Sequence, residues 1–275
     1  MKIPRIKIWS FFALICLVIL NVSGQSSLLQ WHKSIALSNP TAISKDRNGY
    51  IYLANDKGDI TQYDDNGNVI NTYSPDKPGI VTLIEAWPVL RILVFYADFQ
   101  EYILLDRFLN TSPYYRISGE DVGFSSLLTL AEDNNLWLVD NENLNLIKFD
   151  NTTNQVLINA SLNNFILAED NDLNFMKAYQ QQVFINDANG GILVFDNFGN
   201  YVKKLPLTGL SYFNFLKDEL YYLSGDAIHF IHLYSLQERT ISLKTDKTYK
   251  SVLLINNKVI LIGQKTMDIF KLAHF

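Results

Sequence analysis

The chain has 275 residues, of which 48% are hydrophobic, 13% aromatic and 19% charged, with a formal net charge of −5. That composition excludes a disordered chain and supplies enough apolar surface for a large core. The acidic balance argues against a phosphate-backbone partner, since nucleic-acid binders carry a basic face.

The first segment is an export signal. Lys2, Arg5 and Lys7 precede the apolar run Ile8 to Leu20, and Asn21-Val22-Ser23-Gly24 forms a small-residue exit before Gln25. The run is shorter than the roughly 20 residues of a spanning helix. Residues 1–24 are therefore read as a cleaved signal peptide, with a single domain over 25–275 and no membrane span after cleavage. Cys16, the single cysteine, sits inside the apolar run after Ile15, a poor context for lipidation. Removing the three cations of the signal from the 23 basic residues leaves 20 against 28 acidic ones, a net of −8 without cysteine. An exported protein without disulfides rests on its core or its ligands.

From residue 28 onward the chain is a succession of strand-like runs. LLQWHKSIAL (28–37) comes first, and then a unit recurs. Each unit has a short opening strand, such as TAISK (41–45), GIVTLIEA (79–86), SSLLTLA (125–131), LNFMKA (173–178), FNFLK (213–217) and SVLLIN (251–256). A second strand ends on a small or acidic residue: IYLAND (51–56), LVFYAD (93–98), LWLVDN (136–141), VFINDA (183–188), LYYLSGD (220–226) and the weaker VILIGQ (259–264). Third runs follow, from ITQYD (60–64) to MDIFKL (267–272), and fourth runs such as NVINTYS (68–74) and RTISLK (239–244). Alternation with β-branched and aromatic enrichment between Asn, Asp and Gly marks strands. Four strands per unit of about 40 residues is the signature of a propeller blade. The predicted fold is all-β: a six-bladed β-propeller of four-stranded antiparallel blades. The sixth unit has three strands before the chain ends, so the N-terminal strand is expected to join it and close the ring, hiding both edges.

The stretch PTAISKDRNGYIYLANDKGDITQYDDNGNVI (40–70) resembles a repeat of the NHL family, and FDNFGNYV (195–202) is similar to YDDNGNVI (63–70). Other units keep the rhythm without the turn glycine, as at Asp106-Arg107-Phe108 and Asp150-Asn151-Thr152. The resemblance implies an NHL-like or TolB-like propeller and carries no activity with it.

Candidate functional residues lie where the rhythm breaks. Asp56, Asp98, Asp140, Asp187 and Asp226 end the second strands, on the face of the blade-to-blade crossovers. They are either an acidic rim for a cation or basic partner, or aspartates bonding their own turns. Tyr96, Asp98, Phe99 and Gln100, then Glu120 and Asp121, and the crossover NNFILAEDND (163–172) depart from the pattern, and loops of this kind carry function. Tyr96, Asp98, Phe99, Glu120, Asp121, Asp140, Asp187 and Asp226 are thus the expected ligand- or partner-binding residues. Asp64 to Asn68 carries hard oxygen ligands, but Asn66-Gly67 between alternating strands reads as a hairpin. His229 and His232, three apart in a strand, cannot chelate one metal, and His32 and His274 stand alone. Trp31, Trp87, Trp137, Tyr221 and Tyr222 are expected to fill the wedges between blades, with Trp87-Pro88 the exception worth attention. Phe275 resembles a terminal barrel aromatic, but Lys271 breaks the alternation.

No catalytic motif is present, so the leading expectation is a non-catalytic binding or scaffold protein of the periplasm or cell surface. It would be monomeric, without cofactor, taking a protein or small ligand on the loop face around the channel. The alternative resembles the six-bladed lactonases, hydrolases with a channel divalent ion such as Ca2+. For that, Glu85 and Asn214 are the candidate ligands, with Lys177, Lys217 and Thr129 nearby. A TolB-like docking propeller would instead show a flat exposed face.

Overall fold

A computed structural model describes residues 29–87, 91–110, 113–117, 122–167 and 169–272. The signal segment, Glu120, Asp121, His274 and Phe275 lie outside them. The first strand, β1 (Leu29–Ala36), precedes six units. Blade 1 holds β2 (Ala42–Lys45), β3 (Ile51–Ala54), β4 (Ile60–Tyr63) and β5 (Val69–Tyr73). Blade 2 holds β6 (Leu83–Glu85), β7 (Ile92–Tyr96), β8 (Glu101–Leu105) and β9 (Tyr115–Arg116). Blade 3 runs through β10 (Ser125–Leu130), β11 (Leu136–Asp140), β12 (Asn145–Asp150) and β13 (Gln155–Ser161). In blade 4 come β14 (Leu173–Tyr179), β15 (Gln182–Asp187), β16 (Gly191–Asp196) and β17 (Tyr201–Leu205). Blade 5 comprises β18 (Phe213–Leu216), β19 (Glu219–Ser224), β20 (Ala227–His232) and β21 (Glu238–Ser242). The chain then supplies β22 (Ser251–Ile255), β23 (Lys258–Ile262) and β24 (Thr266–Leu272).

Those last three strands form a sheet with β1 in the order β1-β24-β23-β22, antiparallel throughout. The expected closure is therefore what the fold uses: Leu29 lies opposite Leu272 and Ala36 opposite Thr266, and β1 covers the edge that β24 would otherwise present. No helix among the described residues is long and apolar enough to cross a membrane.

The core is six wedges, one between each pair of neighbouring blades. Tyr52 and Ala54 of blade 1 meet Val94, Tyr96 and Ile103 of blade 2; Phe184 and Val194 of blade 4 meet Phe213 and Leu220 of blade 5. At the closure, Ile51 and Leu53 pack on Leu253, Ile260 and Ile269. Trp137 and Tyr221 are fully buried in such wedges and Tyr222 nearly so. Trp31 is a correction: it is 64% exposed on the outermost strand, where no further blade faces it.

The third-to-fourth-strand turns repeat one device. Asp64 Oδ1 accepts the backbone N–H groups of Asn66 and Asn68 at 2.9 and 2.8 Å, while Asn68 Nδ2 donates to Asp64 Oδ2. The same three bonds hold Asp106 with Phe108 and Asn110, and Asp196 with Phe198 and Asn200. These are the hairpins expected in place of a calcium loop. Gly67 takes φ +72° there, and a Cβ would lie 2.1 Å from Ile35 Cδ1 of β1. Blade 2 dispenses with the glycine. Leu109 occupies the equivalent left-handed position at φ +62°, with its side chain buried in the wedge between blades 1 and 2.

Candidate functional site

The ring has two faces. The crossover face carries the chain segments that pass between blades together with the second-to-third-strand turns; the hairpin face carries the other turns. On the crossover face of blades 2 to 4, each turn is hydrogen-bonded to a crossover. Gln100 exchanges two bonds with Ser125, Nε2 to the carbonyl at 2.8 Å and the Ser125 N–H to Oε1 at 2.9 Å. Asn141 Oδ1 accepts from both the N–H and the hydroxyl of Ser126. Asp187 Oδ1 accepts the N–H of Asp172, and Asn189 donates to Asp170. Gly79 is pressed against the Phe99 ring so closely that a Cβ would lie 2.6 Å from Cε2. Among the described residues these bonds tie the turns of the face to the chain beside them.

The expected site residues distribute unevenly over it. Asp140 and Asp187 are buried and turned into their own hairpins: Asp140 Oδ1 accepts from the N–H groups of Glu142 and Asn143, and Asp187 Oδ1 from Asn189. Burial raises the Asp140 carboxyl, but the Asn143 side chain and the turn N–H groups outweigh it and hold the group below the usual carboxylate range. Asp98 and Asp226 are exposed. In blade 1 the turn acceptor is Asn55, and the exposed Asp56 accepts from Asn39 instead. Tyr96 is buried, its ring 6.4 Å from that of Phe99, which carries the Lys77 ammonium 3.7 Å above its centre. Glu120 and Asp121 lie outside the described residues.

Two further residues of this face, Ile80 and Phe124, were not singled out by the strand pattern, and a third, Leu167, lies in the crossover 163–172 that was. Ile80, Phe124 and Leu167, on three successive crossovers, are 53%, 44% and 72% exposed. The available signal was an apolar residue in the segments that lead from one unit's last strand to the next unit's first. Exposed around them are Asp76, Asp98, Glu142, Glu169 and Asp170, against Lys77 and Arg116.

The channel has a cavity at each mouth. On the crossover side one of about 250 Å³ is lined by Thr82, Asn174, Ser211, Tyr212 and Lys250 among others. On the hairpin side one of about 450 Å³ is lined by Arg47, Glu85, Trp87, Glu132, Tyr179 and Gln180. Trp87 thus leaves the wedges as anticipated, and its ring centre is 5.2 Å from the Arg47 guanidinium.

Between the mouths the innermost strands are stitched by a belt of bonds. Ser44 Oγ accepts the Ala86 N–H, Glu85 Oε2 the Leu130 N–H, and Thr129 Oγ1 the Ala178 N–H, at 3.1, 2.9 and 3.0 Å. Thr129 also donates to Glu85 at 2.8 Å. Tyr221 Oη accepts the Leu254 N–H, and Lys45 Nζ donates to the Leu254 carbonyl at 2.5 Å to reach from blade 1 to blade 6. Glu85 and Asn214 do reach this inner ring, but three blades apart, and each has its own partners. Asn214 gives its amide hydrogen to Tyr212 and accepts from Phe215. The Lys45 ammonium, held on the Leu254 carbonyl of an innermost strand, would oppose a divalent ion there. Among the described residues no three His, Cys, Asp or Glu side chains are placed to hold a metal ion. His229 stacks on Tyr222, and His232 Nδ1 accepts the N–H groups of Tyr234 and Ser235, taking the place that Asp holds in the other hairpins.

No protein-family model matches the sequence, nor does any curated protein sequence. Among solved structures the fold is similar to a streptogramin B lyase, with a TM-score of 0.63 at 13% identity over 87% of this chain and 97% of that one. It is also similar to a protein of unknown function from Bacteroides thetaiotaomicron, at 0.65 and 11% over 88% and 72% of the two chains. A third likeness is to BamB from Moraxella catarrhalis, at 0.53 and 11% over 88% and 99%. At such identities the likeness is one of fold: this chain is a six-bladed β-propeller.

Proposed function

We propose that this chain is an exported, non-catalytic binding or scaffold propeller of the cell envelope, docking a protein partner on the crossover face of blades 2 to 4. The observation that carries the reading is the exposure of Ile80, Phe124 and Leu167 on three successive crossovers of a hydrogen-bonded face. Apolar side chains held out on rigid loops and rimmed by charge mark an interaction surface. The excess of carboxylates around them favours a partner whose contact segment is apolar with basic flanks. The grouping with NHL-like or TolB-like propellers rests on the repeat at 40–70, and the envelope address on the segment 1–24. Solved propellers of like fold include a lyase, so the fold by itself selects no activity.

The test compares retention of envelope proteins by the immobilised mature chain with retention by the triple variant I80S/F124S/L167S. A second triple variant, F108S/F198S/Y234S, removes three exposed aromatics of the hairpin face. Retention lost in the first, kept in the second and weakened by salt supports the reading; equal retention in all three overturns it. Export is tested separately, by N-terminal sequencing of the protein recovered from the envelope fraction, which is expected to begin at Gln25.

A further inference from the structure

The connections from first to second strand differ in length around the hairpin side of the channel. In blades 4, 5 and 6 they are the short turns 180–181, 217–218 and 256–257, whereas blades 1, 2 and 3 use the longer segments 46–50, 86–91 and 131–135. Each long connection sets a different kind of side chain on the same cavity: Arg47, Trp87 and Glu132. Glu85, Tyr179 and Gln180 are among the residues that complete its lining, and its volume of about 450 Å³ lies in the range of small-molecule sites.

Much of this lining is held in place by the protein itself. Asp46 Oδ1 accepts the N–H groups of Asn48 and Tyr50, both at 2.9 Å, which fixes the turn that carries Arg47. Glu132 Oε1 accepts the Gln181 N–H at 3.1 Å, joining the turns of blades 3 and 4. The Tyr179 ring stacks on Phe215 with centres 4.2 Å apart, and its hydroxyl donates to the Lys217 carbonyl. Gln180 is bonded at both ends of its amide, to Asp218 and to Tyr234. A wall tied in this way loses little freedom when a ligand binds.

Bonding capacity is left over at two points. Glu85 is 5% exposed, and its Oε2 takes both the Thr129 hydroxyl and the Leu130 N–H. Its Oε1 makes no hydrogen bond among the described residues, so one oxygen of a buried carboxylate on the cavity lining lacks a donor. The Arg47 guanidinium, 5.2 Å from the Trp87 ring centre, likewise makes no hydrogen bond or ion pair among them. An open acceptor and a fork of open donors thus line one cavity together with two aromatic rings.

That combination selects a class of ligand. A cation would meet Arg47 already on the Trp87 ring, and an anion would meet Glu85 and Glu132. A neutral ring bearing hydroxyls avoids both conflicts, because its O–H groups donate to carboxylate and accept from guanidinium while its C–H face lies against an aromatic side chain. We propose that the hairpin-side cavity binds a sugar ring, with Glu85 Oε1 and Arg47 as its polar contacts and Trp87 as its apolar wall. The site lies on the face opposite the protein-docking surface and does not depend on it.

The experiment uses the mature chain with the methyl glycosides of glucose, galactose, mannose and N-acetylglucosamine, followed by calorimetry and by tryptophan fluorescence. Tetramethylammonium and acetate, at the same ionic strength, are the charged comparisons. At least one sugar is expected to bind saturably in the millimolar range and to change the fluorescence. Affinity should fall about tenfold or more in W87A, R47M and E85Q, with the fluorescence change lost in W87A. W31A, which removes the exposed tryptophan of β1, should keep both binding and signal. Lactose and cellobiose test the source: tighter binding than the monosaccharides assigns the end of a glycan, equal binding a free sugar. Because Glu85 also serves the belt, E85Q is read beside W87A and R47M, whose side chains lie outside it. No binding by any sugar, undiminished binding in folded W87A and R47M, or a response only to tetramethylammonium or acetate overturns the proposal.

Discussion

The hairpin face and the crossover face are built by the same repeat to opposite rules. On the hairpin face, blades 1, 2 and 4 use one Asp, one Asn and the same three hydrogen bonds. On the crossover face of blades 2 to 4, each turn is tied by different groups: Gln100 in one blade, Asn141 in the next, Asp187 in the third. A need shared by these three blades is met by a shared residue. Departure from the repeat marks the places under another demand, and the long first turns of blades 1 to 3 and Ile80, Phe124 and Leu167 on the crossovers are departures of that kind.

This contrast can be broken in order of expected effect. Replacing Gly67 by Val forces a side chain into Ile35 at a left-handed position, and about 3–4 kcal/mol of stability should be lost to strain and overpacking. A denaturant midpoint unchanged from wild type would show that β1 is not seated on that hairpin.

Lys45 comes next. Its folded pKa of about 8 lies below the unfolded 10.5, so between these values the unfolded chain binds more protons and stability rises with pH. The full penalty is present below pH 8. Relative to K45M, the wild type should therefore gain up to about 3 kcal/mol between pH 7 and 10.5, read from denaturant unfolding at each pH. A pH-independent difference would place Lys45 outside the belt.

Thr129→Val leaves the Ala178 N–H and one Glu85 acceptor site unmet at the centre of the ring, which should cost about 2 kcal/mol. Thr129→Ser, which keeps the hydroxyl, should recover most of it, and two equally stable variants would deny the belt its role. The smallest effect on folding is expected from I80S/F124S/L167S. Exposed positions should leave stability within about 0.5 kcal/mol of wild type, so that lost partner retention can be read as lost contact. A drop in the thermal midpoint comparable to that of Thr129→Val would mean these side chains serve the fold.

The spacing of the strand runs, the hairpins at Asn66-Gly67 and the missing fourth strand of the last blade were all legible in the sequence. They rest on local alternation and turn chemistry, which each segment carries by itself. The recurrence of Asp at the ends of the second strands was legible too, but its meaning was not. Asp140 and Asp187 turn inward and accept from the N–H groups of their own turns, Asp187 also from Asp172 of the crossover, while Asp98 and Asp226 face water, and a recurring Asp does not show which it will do. Trp31 was misassigned to a wedge although its strand was expected at the edge of the last blade: the register of β1 shifts between Trp31 and Lys33, and the sequence does not show which face the side chain takes.

By itself, then, the sequence determined how many blades there are, where they turn and how the ring closes, through periodicities a few residues long. Which aspartate is buried, which residue of the inner belt is a lysine's neighbour, and which apolar residues stand exposed on the crossovers were decided by the tertiary structure. Asp140 and Asp187 take their donors from their own turns and from the crossover beside them, while Lys177 faces groups of other blades that are far from it in the chain.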